Sequence, residues 1–169
     1  VPINVNYRYV DEELVYLFDN ADARAVVYHA AFAPTLARIR DRLPKVRLWI
    51  QVSDASAEPL LPGAIDYEAA LAEAEPTPPR ELSEDDVYIL YTGGTTGMPK
   101  GVLWRHADVF RAALYTRPDR DFDAIVSRAR RGGPRVLPAP PFMHGAAHWM
   151  ALNIWHVGGS VVVPSDPTR

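Results

Sequence analysis

One run, Tyr91-Thr92-Gly93-Gly94-Thr95-Thr96-Gly97-Met98-Pro99-Lys100-Gly101, constrains this chain more than any other. It lies between the apolar stretches Val87–Leu90 and Val102–Trp104, and holds four glycines and three threonines. Glycine lets the backbone turn sharply and bring its N–H groups close to an anion. The threonine hydroxyls add donors, and Lys100 adds a compact positive charge. The run reads as a loop that wraps a polyphosphate. A plain hairpin turn is the alternative, but a two-residue turn has no need of so long a string. The spacing excludes a Walker A loop, because Lys100 follows Pro99 and precedes Gly101, and it does not form G-x-G-x-x-G.

Composition sets the bounds. With 169 residues, 48% hydrophobic and 23% charged, the chain can bury one domain's core as a globular protein. A net charge of −3 argues against nucleic-acid binding driven by phosphate contacts. The absence of cysteine excludes disulfides and thiolate metal sites, and the five histidines lack zinc-ligand spacing. No apolar run reaches the length of a membrane span and no signal peptide opens the chain, so the cytoplasm is the default compartment. The chain opens on Val1-Pro2 and closes soon after the strand-like GGSVVV, and is expected to be a piece that packs with the remainder of a longer protein.

Read in order, helix and strand alternate. Asp11 is expected to cap a helix with Leu14, Leu17 and Phe18 on one face. Residues 25–28 then read as a strand, 34–42 as an amphipathic helix stopped before Pro44, and 46–52 as an inner strand. The order predicts an α/β fold with a mainly parallel sheet flanked by helices. A proline-rich surface connection from Ser53 to Arg80 carries a short helical candidate at 65–74. Ser83-Glu84-Asp85-Asp86 offers a cap and one helical turn, its acids on a solvated face. After the glycine run come a strand at 102–104 and a helix at 105–116. Residues 117–134 read as a mobile basic loop, with a pocket for phosphates around Arg128, Arg130 and Arg131 as the less favoured alternative. A short strand at 135–138, a helix at 145–156 and a strand at 159–163 complete the chain.

The twelve-residue run YTGGTTGMPKGV resembles the signature phosphate loop of the adenylate-forming superfamily, which includes acyl-CoA synthetases, luciferases and peptide-synthetase adenylation domains. The opening VPINVNYRYVDEELVYLFDNADARAVV and the stretch VLPAPPFMHGAAHWMALNIWHVGGSVVV are similar to two further segments of that family, in the same order. Residue choices look most like bacterial fatty-acyl-CoA ligases. Residues 1–169 would then be part of the AMP-binding N-terminal domain, with the C-terminal domain absent and the 169 residues alone inactive.

That resemblance implies a two-step reaction: a carboxylic acid, a fatty acid by preference, is joined to AMP from ATP, then passed to CoA. Thr92, Gly93, Gly94, Thr95, Thr96 and Gly97 would surround the phosphates, with Thr95 or Thr96 helping to hold Mg²⁺. Lys100 would neutralise charge without being the principal catalytic lysine. His144 matches the family position beside the reacting carboxylate, the alternative being a histidine bonded to a backbone carbonyl. Phe142, Met143, Gly145 and Trp149, with Met150 and Trp155, would line the acyl pocket or simply pack the core. His148 and His156 form a remote metal candidate, and His29 and His106 read as surface or capping residues. Two other functions stay open: an acyl-AMP ligase loading a carrier-protein thiol, and a non-catalytic nucleotide-binding module.

Overall fold

A computed structural model describes residues 1–78, 81–94, 97–114 and 122–163. These fall into two compact units: one holds 7–78 with 93, 94 and 97–99, the other 1–6, 81–92, 100–114 and 122–163.

In the first unit, helix α1 (Asp11–Asn20) buries Leu14, Leu17 and Phe18, as their spacing predicts. Asp11 is the first helical residue and not the cap. Val10 precedes the helix with extended backbone, and its N–H donates to Glu13 Oε2 at 3.0 Å. The Asp11 carboxylate instead takes two bonds from Arg38, at 2.8 and 2.9 Å. Strands β1 (Ala25–His29), β2 (Leu48–Val52) and β3 (Ile65–Asp66) pair in that order, all parallel, with Val27 opposite Ile50 and Ile50 opposite Ile65. Between β1 and β2 runs α2 (Ala33–Ile39), tightening into a 3₁₀ turn at Arg40–Arg42. Inside the proline-rich connection, α3 (Tyr67–Glu73) starts where Asp66 Oδ1 accepts the Ala69 N–H at 2.9 Å. Leu17, Ile39, Leu36 and Trp49 fill the core. Gln51, the one polar residue buried among the described residues, is fully used: its carbonyl accepts the Tyr28 hydroxyl at 3.0 Å and the Leu61 N–H at 3.2 Å, and its amide donates to Pro59 O at 3.2 Å. Those bonds pin the proline-rich connection to the sheet.

The second unit opens with a turn. Ser83–Asp86 is not helical: Asp86 Oδ2 accepts the Ser83 N–H at 3.0 Å and Ser83 Oγ accepts the Asp85 N–H at 3.1 Å. Four residues ahead of a strand are too few to nucleate a helix, and their side chains close the turn themselves. Nor are the acids merely solvated. Asp85 pairs with Arg105 at 2.6 Å and Glu84 with Arg111 at 3.2 Å. Strand β4 (Val87–Gly94) then pairs with β5 (Gly97–Arg105). Helix α4 (His106–Val109) follows, its first N–H groups donating to Asp86 O and Glu84 O at 2.8 and 3.2 Å, and continues as a π-helical turn, Phe110–Leu114.

Where a basic loop is expected, residues 122–130 form a helix, α5 (Phe122–Arg130). Its polarity hides Ile125, Val126 and Ala129 at helical spacing, and Gly132 ends it with φ +78°. Strand β6 (Arg135–Val136) pairs in parallel with β7 (Ser160–Val161), and between them in sequence lies α6 (Gly145–His156), with the bounds read from sequence. A Schellman motif closes α6: Gly158, at φ +75°, donates to Trp155 O and Gly159 to Ile154 O, both at 2.9 Å.

Candidate functional site

The glycine run becomes the end of a hairpin. Residues 93, 94, 97 and 100 lie in its strands, while Thr95 and Thr96, the two candidates for holding a metal, fall outside the described residues. Three glycines of the run differ in what requires them. At Gly101 a Cβ would come within 3.1 Å of the Tyr91 ring, so packing accounts for it. At Gly93 and Gly97 a Cβ would meet nothing within 4 Å, and neither residue has a left-handed backbone. Their own backbone conformation and packing therefore leave these two unexplained. The open space beside them lets a ligand come directly against the backbone.

Thr92 and Lys100 are brought together across the hairpin, where Thr92 Oγ1 donates to Lys100 O at 3.5 Å. The Lys100 side chain is exposed and makes no ion pair among the described residues, whereas Arg105 and Arg111 are committed to Asp85, Glu84 and Asp108. Lys100 is thus the cation of this strand available to an anion. Hydroxyl oxygens such as those of Thr95 and Thr96 suit a hard divalent cation. Among the described residues, no cluster of three histidine or acidic side chains could hold one.

The second candidate set sits at the start of α6. His144 precedes the helix with extended backbone; its N–H donates to Pro141 O at 2.9 Å, and its exposed imidazole makes no hydrogen bond among the described residues. Phe142, 37% exposed, and the half-buried Met143 flank it. Gly145 has a packing reason to be glycine, since a Cβ there would press to 2.7 Å on Leu90 Cδ2. Trp149 is held on three sides: Nε1–H donates to Tyr88 Oη at 3.2 Å, the Trp104 ring stands edge-on at 5.7 Å, and the His148 ring at 6.3 Å. Met150 and Trp155 are 42% and 53% exposed, which leaves their apolar faces unburied within this chain.

The histidine pair of α6 does not converge. His148 bonds Tyr88 Oη and, at 3.1 Å, Phe142 O; His156 bonds Leu152 O at 2.6 Å and meets the Phe110 ring at 5.4 Å. Eight helical residues separate them by about 12 Å of rise. His106 begins α4, and His29 is exposed with Asp54 at 3.8 Å, as expected for surface and capping residues. Sequence reading missed Tyr88, which lies in an apolar run where its polar tip is the only signal.

The AMP-binding enzyme family model matches residues 1–169. The medium-chain acyl-CoA ligase Mig of Mycobacterium avium is 49% identical over 97% of this chain and 31% of its own length. A 3-oxocholest-4-en-26-oate–CoA ligase of Rhodococcus rhodochrous is 39% identical over 96% of this chain and 31% of its own. The chain therefore spans about three tenths of the curated relatives it matches. The N-terminal domain of FACL13 from Mycobacterium tuberculosis superposes with a TM-score of 0.69 at 28% identity, over 93% of this chain and 36% of that domain. No helix among the described residues is long and apolar enough to cross a membrane. On the whole-chain match and the hairpin that carries its glycine run, this chain belongs to the AMP-binding enzyme family.

Proposed function

We propose that this chain supplies the triphosphate-binding hairpin and part of the acid site of an ATP-dependent acyl-CoA ligase acting on medium-chain or bulkier carboxylic acids. The observation that carries the reading is the pair Gly93 and Gly97, glycines that neither backbone conformation nor packing requires. The similarity to a medium-chain acyl-CoA ligase supports the substrate class. In the first half-reaction a carboxylate oxygen attacks the α-phosphorus of ATP and pyrophosphate leaves. In the second the CoA thiolate attacks the acyl carbon and AMP leaves.

The work of these residues is to bring two anions together. Backbone N–H groups at Gly93, Gly94 and Gly97, with the hydroxyls of Thr92, Thr95 and Thr96, surround the β- and γ-phosphates. Lys100 offsets their charge. When bound, Mg²⁺ neutralises the triphosphate further, and Thr95 or Thr96 offers it an oxygen. His144 donates a hydrogen bond to the carboxylate, and Phe142, Met143 and Trp149 border the acyl chain. ATP and CoA are both plentiful in the cytoplasm, which is where we place the reaction.

Carboxylate-dependent ATP–pyrophosphate exchange by the protein as its source makes it tests the reading. Lys100→Ala is expected to raise KM for ATP about tenfold, the loss of one charge-assisted contact. Thiolation of preformed acyl-adenylate should stay within about twofold. Exchange without a carboxylate requirement, or loss of thiolation in Lys100→Ala, contradicts it.

A further inference from the structure

The bonds around His148 run in one direction. Phe142 O can only accept, so Nδ1 of His148 carries the proton at their 3.1 Å contact. Trp149 Nε1–H can only donate, so Tyr88 Oη accepts at 3.2 Å. In neutral imidazole, Nε2 then accepts the Tyr88 hydroxyl. Each group donates once: Trp149 to Tyr88, Tyr88 to His148, His148 to the Phe142 carbonyl. Burial pushes the Tyr88 phenol above its ordinary value of 10.0, partly opposed by the Trp149 bond, so its O–H remains a donor.

The two ends of this relay are informative. Tyr88 stands on β4, the strand that continues into Thr92 and Gly93, and Phe142 is two residues before His144. We propose that His148 and Tyr88 are positioning residues that lock the Phe142–His144 segment, where the acid reacts, to the strand carrying the phosphate hairpin. The proposal rests on the ligase reading and extends it. The role of the two side chains is to hold the turn before α6 at a fixed depth beside β4, and adenylation is sensitive to displacements of this kind.

Three variants of the protein as its source makes it test this. Tyr88→Phe removes one oxygen and keeps the ring against Trp149. His148→Phe keeps a ring and deletes the relay, whereas His148→Gln keeps a donor and an acceptor. Tyr88→Phe and His148→Phe are expected to lower kcat for carboxylate-dependent exchange about tenfold or more, with KM for ATP within about twofold. His148→Gln should recover about a third or more of wild-type kcat. Equal activity of the Gln and Phe variants, or wild-type kcat in Tyr88→Phe, overturns the proposal. Should His148→Phe fail to fold, Tyr88→Phe and His148→Gln decide alone. Wild-type protein without exchange would refute the ligase reading instead. Amide exchange then decides the relay: faster exchange over 142–148 in Tyr88→Phe supports it, and unchanged exchange overturns it.

Discussion

Glycine serves three different purposes along this chain, and the substitutions that separate them are simple. At Gly158 the backbone is left-handed and a Cβ would come to 2.0 Å from Ala129 O. Gly158→Ala is therefore expected to lower unfolding free energy by at least about 1–2 kcal/mol, the strain alone, with the clash added. Chemical denaturation measures it, and an unchanged midpoint contradicts the close approach. Gly93→Ala and Gly97→Ala meet open space, so their stability should stay within about 0.5 kcal/mol of the parent while ATP affinity falls. Intact ATP affinity in both would return the run to the status of a hairpin turn. The unusual glycine density was legible in sequence. Which glycine answers to packing, as Gly101 and Gly145 do, was not, because that depends on Tyr91 and Leu90 arriving from elsewhere in the chain.

Among the elements, α1 and α2 are clasped by charge as well as by Leu14, Leu17 and Leu36. Arg38 bonds Asp11, and Arg42 bonds Glu12 at 2.7 and 2.8 Å. Each guanidinium holds its carboxylate below the ordinary value, 3.8 for Asp11 and 4.5 for Glu12. Both acids also occupy the first turn of α1, where negative charge suits the helix dipole. A carboxylate depressed in the folded state stabilises above its unfolded value and loses that contribution as pH falls through the folded one. The stability gap between the parent and an Asp11→Asn, Glu12→Gln variant should accordingly be open at neutral pH and close as pH falls below the ordinary carboxylate range. Urea midpoints across that range measure it; a gap that persists at low pH would mean the clasp acts through packing.

Elements with a distinct apolar face or run were readable: the buried face of α1, the parallel pairing of β1 with β2, and the bounds of α6 all agree with the sequence. Polar elements were not. Helix α5 was hidden by its arginines, and the Ser83–Asp86 turn imitated a helix start because serine and aspartate serve caps and turns equally well. The relay through Tyr88 and His148 joins residues sixty positions apart, a proximity no local pattern encodes.

At the scale of the whole molecule, the family and the proposed chemistry rest on different footings. Membership follows from a match over residues 1–169; the reaction is inferred for relatives of which this chain spans about three tenths. Trp155 and Met150 of α6 are exposed, and the hairpin glycines Gly93 and Gly97 face open space. Adenylation makes a demand that no other route from ATP to a thioester shares: one carboxylate oxygen must end on AMP. A medium-chain acid labelled with ¹⁸O in its carboxylate, ATP and CoA, given to the protein as its source makes it, should yield AMP carrying one ¹⁸O per acyl-CoA formed. Unlabelled AMP, or ADP and phosphate in its place, would contradict the carboxylate attack on which the proposed function depends.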